Sequence, residues 1–476
     1  MKKSKNEKKA APDEPIYDAK TLGTPKMLVL GVQHLFAMFG ATVLVPILTG
    51  LSVSATLLFA GFATLFMHLV TGRKVPVFLG SSFAFLAGYA AVKALGVEQG
   101  LTESQALPYA CVGVACAGLL YLVLALICKA FGSKNVMRYF PPVVTGPIII
   151  AIGLILAPSA INNCATSWPI ALVAIAVVIV CNIWGKGMVK IVPILLGVLA
   201  SYLAAVIFDP AARTAVAEKV GAAKWIGLPV NMKDDTVFGL LASGQVDGGL
   251  ILSSIIIIVP IAIATMMEHV GDISAISGTI GKNLIEDPGL HRTLIGDGVG
   301  TTIAALFGAP ANTTYGENTG VLVLTKVYDP KVVRIAAYFA IVLSFCPKFA
   351  ALISAMPAAT VGGVSIILYG MISAVGIRNM VENHTDFQKS RNVIVAAVIL
   401  GLALGVNFSG ALGADITVAN GNLATGAISF SIGSVKVGLT GLAVASIVGI
   451  VLNAILPGKR DEYMPNQANS GSLGKF

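Results

Sequence analysis

Ala309-Pro-Ala-Asn-Thr-Thr-Tyr-Gly-Glu-Asn-Thr-Gly320 decides how this chain is read. Proline and the residue before it disfavour helix, so the stretch opens extended and then passes Gly316 into a helix. A carboxylate, Glu317, follows at once inside an apolar run. Charge in hydrocarbon is expensive unless it lines a polar cavity, so such a residue marks a site or a pathway. Non-helical backbone at membrane depth survives only where it is buried in protein or faces water. A second stretch, Val75-Pro-Val-Phe-Leu-Gly-Ser-Ser-Phe83, has the same form without the acid.

The rest of the chain places both stretches in a membrane. Of 476 residues 56% are apolar and only 12% are charged, against about 25% charged in soluble domains. Mean hydropathy is +0.85. From Met27 to Gly72 no Lys, Arg, Asp or Glu occurs, a run of 46 residues, enough for two helical crossings of about 20 residues each. An all-α polytopic membrane protein is expected. The basic N-terminus, Met1-Lys-Lys-Ser-Lys-Asn-Glu-Lys-Lys9, lacks an adjoining apolar segment and reads as a solvated tail, not a signal peptide. The six Cys lie mostly in apolar runs without metal spacing and read as small buried hydrophobes.

Hydropathy with Pro, Gly and charge punctuation gives fourteen segments between residues 27 and 456. They include 27–49 (segment 1), 77–96 (segment 3), 249–271 (segment 8), 311–326 (segment 10), 358–376 (segment 12) and 436–456 (segment 14). Residues 1–26 and 458–476 are left as tails, and 209–248 as a long loop. With both termini cytoplasmic, 25 of the 32 Lys and Arg fall on the cytoplasmic side, as the positive-inside rule requires. The net charge of +9 therefore records orientation, and no nucleic-acid partner is expected. Loop 209–248 is extracytoplasmic in this arrangement.

Seven segments per half suggests inverted repeats, because an odd unit flips its copy across the bilayer. Gln33-His34 in segment 1 answers Glu268-His269 in segment 8, and Gly80-Ser-Ser-Phe83 answers Tyr315-Gly-Glu317. The interval from His34 to Phe83 is 49 residues, and that from His269 to Glu317 is 48. Phe140-Pro-Pro-Val-Val-Thr-Gly146 in segment 5 is similar to Met356-Pro-Ala-Ala-Thr-Val-Gly362 in segment 12. Segments 3 and 10 are both short and Pro-interrupted. Such a matched pair is the best sequence pointer to a transporter's substrate site.

Two broken segments that meet aim two half-helix N-termini at one place. Free N–H groups near Phe83 and Gly316 can donate to carbonyl oxygens or anions there. Glu268 and Glu317 add acceptors for ligand N–H groups. A planar ring with alternating N–H and C=O groups, a pyrimidinedione or an oxopurine, fits this set. Glu268 and Asp272 stand at i and i+4, on one helix face, and with His269 beside them can pass a proton between site and cytoplasm. No cage of carbonyl and hydroxyl ligands for Na⁺ stands out.

Each residue also has a plainer role. Glu317 suits the first turn of its half-helix as a cap, although membrane depth argues for a ligand. Asp272 can be a solvated acid at the cytoplasmic mouth, and His269 a structural bond to a neighbouring segment. His34 reads as a bridge to segment 8 or 10. Ser82 can touch substrate or satisfy freed backbone, Tyr369 can close the pocket or merely pack, and Asp297 is a buried acid that suits a structural partner.

At these residues the chain resembles the nucleobase–ascorbate transporter family, also called nucleobase:cation symporter family 2. The family signature, Glu/Gln-Asn-x-Gly-x-x-x-x-Thr-Lys/Arg, stands intact as Glu317-Asn-Thr-Gly320 with Thr325-Lys326. The likeness extends over Gln33-His-Leu-Phe-Ala-Met-Phe-Gly40, Gly80-Ser-Ser-Phe83, Asp287-Pro-Gly-Leu-His-Arg292 and Gly362-Gly-Val-Ser365. Within the family it is greatest to bacterial members that carry uracil. The resemblance implies fourteen spans with a core domain (27–132 and 249–354) and a gate domain (138–208 and 357–457). It implies uracil held by Glu268, Glu317 and backbone at Phe83 and Gly316, with Tyr369, Tyr315 and Ser82 at the site. His34 and Asn318 would support it. Proton symport without a cofactor, an elevator-like movement of core against gate, and a homodimer packed through gate domains in a bacterial inner membrane are also implied. One position departs: uracil-carrying members have His one turn after the Glu of segment 8, where this chain has Asp272.

Rival readings remain. A xanthine or urate carrier of the same family would more often carry Gln at position 317. A membrane enzyme using paired carboxylates would be expected to show an Asp-rich or His-clustered motif, which is missing. An anion channel or exchanger would face repulsion from two acids.

Overall fold

The computed structural model describes residues 15–244, 246–409, 427–432 and 435–457. The tail expected at 458–476 and residues 1–14 of the other tail lie outside these. In chain order come α1 (Thr24–Thr49), α2 (Val53–Val70), strand β1 (Leu79–Ser81), α3 (Leu86–Glu98), α4 (Glu103–Phe131) and α5 (Ser133–Met137). Next are α6 (Pro142–Ala165), α7 (Trp168–Ile183), α8 (Met188–Ile191), α9 (Pro193–Phe208), α10 (Pro210–Ala222) and α11 (Val237–Ala242). They are followed by α12 (Gly248–Ile258), α13 (Ile261–Ile280), α14 (Leu290–Leu306), strand β2 (Asn312–Thr314), α15 (Gly316–Thr325), α16 (Pro330–Ser344) and α17 (Pro347–Ser354). The chain continues with α18 (Ala358–Glu382), α19 (Ser390–Phe408), strands β3 (Ala427–Ile432) and β4 (Val435–Thr440), and α20 (Gly441–Ile455).

Among the described residues, seven helices are long and apolar enough to cross a membrane, or up to nine if each of two bent pairs is one span. Prolines and glycines set the breaks. Pro260 separates α12 from α13, dividing the stretch expected as one helix at 249–271, and α13 then runs on to Gly281, whose left-handed φ of 67° ends it. Segment 14 differs more. Its first residues are strand, because Val435-Lys-Val-Gly-Leu-Thr440 pairs antiparallel with Ala427–Ile432, and helix starts only at Gly441 behind the Thr440 cap.

Packing follows two sets of neighbours. In one, α4 lies along α14, α2 lies against α14 and α16, and α1 lies against α16. In the other, α6 lies along α18, α7 along α9 and α19 along α20. With no hydrophobic drive between helices in lipid, close backbone approach at small residues does the work. A Cβ on Gly118 of α4 would stand 2.6 Å from the Gly298 carbonyl of α14, and one on Gly376 of α18 would stand 2.6 Å from the Gly146 carbonyl of α6.

Candidate functional site

Strands β1 and β2 meet between the helices of the first set and position the site. They pair antiparallel, with Leu79 opposite Thr314, Gly80 opposite Thr313 and Ser81 opposite Asn312. Two further backbone bonds extend the pair: Ser82 N–H to Ala311 O at 2.8 Å and Tyr315 N–H to Phe78 O at 3.1 Å. The outer edge of each strand is satisfied by a threonine. Leu79 N–H donates to Thr64 Oγ1 of α2 at 2.9 Å, and Asn312 N–H donates to Thr301 Oγ1 of α14 at 3.1 Å. Non-helical backbone in a membrane protein needs this full pairing.

Each strand then turns into a helix whose first N–H groups lack intrahelical acceptors. After β1 the chain passes Ser82 and Phe83 and enters α3; after β2 it passes Tyr315 into α15, whose first turn carries Gly316 and Glu317. Tyr315 serves as a strut between the two halves. Its hydroxyl donates to Ser81 O at 2.9 Å and accepts from Thr42 Oγ1 at 3.3 Å. Gly80 is required beside it, because a Cβ there would enter the Tyr315 ring and lie 2.7 Å from Thr42 Oγ1.

The acids gather from three helices. Glu268 of α13 is half-buried, as is Glu317 of α15, while Asp272 and Asp297 are buried. Glu268 lies within electrostatic reach of Asp272, Asp297 and Glu317. Asp272 Oδ2 accepts from Thr314 Oγ1 of β2 at 2.8 Å, which ties α13 to the strand pair. His269, next to Glu268 in the chain, turns the other way. Its Nδ1 lies 2.8 Å from Asp297 Oδ2 and its Nε2 lies 3.0 Å from Thr293 Oγ1, both on α14. On the far side Asn318 Nδ2 donates to His34 O at 3.1 Å and lies 3.1 Å from His34 Nδ1, so α1 braces α15.

The second set of helices closes the site. The Phe83 ring meets Tyr369 of α18 edge to face, with centroids 5.7 Å apart. A hollow beside Phe83 is lined by Ala84 and Ala87 from one set and by Ile152, Leu156 and Leu442 from the other. Elsewhere at the strand pair and along α1 and α15, Ser82 Oγ, Thr313 Oγ1, His34 Nε2 and Asn318 Oδ1 are buried without hydrogen-bond partners among the described residues. Buried polar groups are nearly always paired, so unpaired ones next to β1, on β2 and in the first turn of α15 are open to a polar ligand. No grouping of His, Cys, Asp and Glu suited to a metal ion occurs among the described residues.

The Permease family of xanthine and uracil permeases matches residues 25–412. The chain belongs to that family. The uracil permease of Bacillus caldolyticus is 39% identical over 453 residues, covering 93% of this chain and 94% of the relative. The uracil permease of Bacillus subtilis is 37% identical, covering 90% of this chain and 92% of the relative. Among solved structures, the transmembrane domain of the cyanobacterial bicarbonate transporter BicA aligns with a TM-score of 0.52 at 15% identity, covering 78% of this chain and 98% of that one. SLC26A9 aligns with a TM-score of 0.57 at 12% identity, covering 89% of this chain and 70% of that one. At such identities the likeness is one of fold. The permease is thus a multi-pass membrane transporter, not an enzyme, and carries its paired strands within a transporter fold shared across families of distant sequence.

Several supporting residues of the permease have no sequence signal beyond being threonine in an apolar run. Thr64, Thr301 and Thr314 are of this kind. The partnership of His269 with Asp297 spans 28 residues of sequence and becomes visible only when α13 packs on α14.

Proposed function

We propose that this permease takes up uracil across a bacterial inner membrane with proton coupling. Uracil offers two N–H donors and two carbonyl acceptors in one plane. Glu268 and Glu317 accept from the N–H groups, and the backbone N–H groups at Phe83 and Gly316 donate to the carbonyls. Phe83 and Tyr369 flank the ring, with Ser82 and Tyr315 at the strand ends. The observation that carries this reading is the antiparallel pairing of β1 with β2, each of which passes into the N-terminus of a helix, with Glu317 in the first turn of α15 and Glu268 within electrostatic reach of it. The uracil permeases that match over nearly the full chain support the substrate.

The finer architecture belongs to the same proposal. Fourteen segments form two inverted repeats, and the equivalent roles of Thr64 on β1 and Thr301 on β2 support the duplication. Spans 1–4 and 8–11 form the core (27–132 and 249–354), and spans 5–7 and 12–14 the gate (138–208 and 357–457). The two sets of packed helices support that division. The core moves against the gate in an elevator-like manner, and two copies associate through their gates. Both termini are cytoplasmic. Asp272, held by Thr314, exchanges the coupling proton with Glu268 one helical turn away, and His269, turned to Asp297, takes part through its place next to Glu268.

Titration calorimetry with uracil on purified protein tests the site. Losing a hydrogen bond to a charged group costs about 1.5–3 kcal/mol, so Glu317→Ala should weaken uracil on the order of 10- to 100-fold. Unaltered affinity would remove Glu317 from the site. Xanthine or urate displacing uracil at equal concentration would favour the purine reading.

A further inference from the structure

Lys224-Trp-Ile-Gly-Leu-Pro229 is an apolar patch in a connector expected to sit in water. Trp225 is 71% exposed, Ile226 83% and Leu228 84%. The backbone beneath them is fixed. Gly227 N–H donates to Phe345 O at 3.1 Å, and Lys348 N–H donates to Lys224 O at 2.9 Å. Lys348 Nζ stands 4.8 Å over the Trp225 ring. The large apolar side chains are thus held outward and do not fold back on the protein.

Two neighbouring helices define the level at which they are held. α10 turns 109° from α9, and α17 turns 90° from α16. These two bent helices pack on each other, and Lys219 Nζ donates to Ser354 O at 3.2 Å between them. A helix at right angles to a membrane span lies along the bilayer surface. Tyr338, Val342 and Phe345 follow at i, i+4 and i+7, so they share one face of α16 and its end. They are 55%, 68% and 40% exposed. An exposed apolar stripe on a membrane-crossing helix faces lipid. The carbonyl that fixes Gly227 belongs to the last residue of that stripe, so the loop patch continues it beyond the end of the span.

We propose that Trp225, Ile226 and Leu228 dock into the phospholipid interface at this end of the bundle, with Lys224 and Lys348 at headgroup level. Trp beside Lys is the pairing that anchors proteins at the membrane boundary. In the positive-inside orientation this is the outer leaflet. The connector joins α9, packed with the gate helices, to α12, packed against α4. Its anchorage holds the junction between the two sets at a fixed depth.

Trp225 is one of three Trp in the chain, so Trp168→Phe with Trp184→Phe isolates it. Both replaced residues are exposed, and an unchanged Tm checks the fold. The variant is placed in phosphatidylcholine vesicles with and without phosphatidylcholine brominated on its acyl chains. An indole at the headgroup–acyl boundary should emit to the blue and lose emission to brominated lipid, with little quenching by acrylamide. Ile226→Asn with Leu228→Asn in the same background should reduce the bromine quenching. Emission like that of free indole in water, quenched by acrylamide and untouched by brominated lipid, overturns the proposal. So does shielding from both quenchers that grows with protein-to-lipid ratio, because the patch would then meet a second copy.

Discussion

Asp272 is the residue at which chemistry and geometry can be separated. Its Oδ2 only accepts, from Thr314 Oγ1, so Asp272→Asn can keep that bond through its amide oxygen while losing the ability to titrate. Uracil counterflow, which needs binding and movement but no net proton, should persist within about threefold, the range of one neutral hydrogen bond. Accumulation driven by a pH gradient should disappear. Counterflow and accumulation measured on one vesicle preparation decide it, and normal accumulation would move the coupling step elsewhere. The candidate acids of this region were legible in the sequence because ionisable residues in apolar runs are rare enough to stand out one by one. Their partners were not. His269 follows Glu268 in the chain, yet a helix turns about 100° per residue, so neighbours in sequence face different elements. His269 accordingly meets Asp297 of α14, while Asp272, one turn from Glu268, meets β2. Geometry of that kind needs the packing of α13 between two neighbours, and no local pattern encodes it.

At the scale of elements, the interrupted segments announced themselves through Pro76, Pro310 and the glycines that follow. The pairing of β1 with β2 did not, since three-residue strands carry no alternation that can be counted. Gly80 is where that pairing is most exacting. Gly80→Ala should destabilise the protein by about 1–3 kcal/mol through overpacking against Tyr315, read as a lowered Tm with uracil affinity falling in parallel. A wild-type Tm would mean the strut yields without cost. A second element, residues 16–22, straps the ends of the two site helices. Ile16 N–H donates to Lys326 O at 2.8 Å, just past α15, and Tyr17 OH donates to Ile280 O at 2.8 Å, at the end of α13. Buried Ala19 N–H donates to Asp329 Oδ2 at 2.8 Å. Asp329→Ala leaves that N–H unpaired and should cost about 1–3 kcal/mol. Removing residues 1–22 as well should add less than it does in the parent, because both changes break one network; full additivity in the thermal melts would refute the strap. Its Asp18 is held below the ordinary carboxyl value of 3.8 first by the hydrogen bond from Lys331 and then by the Lys20 N–H. That contribution is present above 3.8 and is lost as pH falls through the lowered folded value, so the strap is indifferent to pH near neutrality.

For the whole molecule, hydropathy alone distinguished a bundle of crossing helices, but not which helices pack together. Apolar segments of similar composition can pair in many ways, and the choice rests on where glycines let backbones approach, as at Gly118 with Gly298 and at Gly146 with Gly376. Between the two sets the fit is tight at Gly40, where a Cβ would stand 2.5 Å from Ile194 Cγ2 of α9, and looser at Gly271. A Cβ built on Gly271 of α13 would meet Ile149 Cδ1 of α6 at 3.7 Å and Asn379 Nδ2 of α18 at 3.8 Å, ordinary van der Waals separations. In the proposed movement of core against gate, Gly271 sits on the sliding surface, one residue before Asp272 and next to Ile149 and Asn379 of the other set. A larger side chain there should be tolerated in one position and obstruct passage to the other. Gly271→Leu is expected to leave uracil affinity within about threefold, since it removes no group from the site. It should slow transport by roughly tenfold or more, as conformational steps set turnover in such proteins. Equilibrium binding in detergent and initial uptake in vesicles, measured on the same protein, separate the two. Equal losses in both would mean that Gly271 shapes the pocket itself, and unchanged uptake would mean that the two sets do not slide along this face.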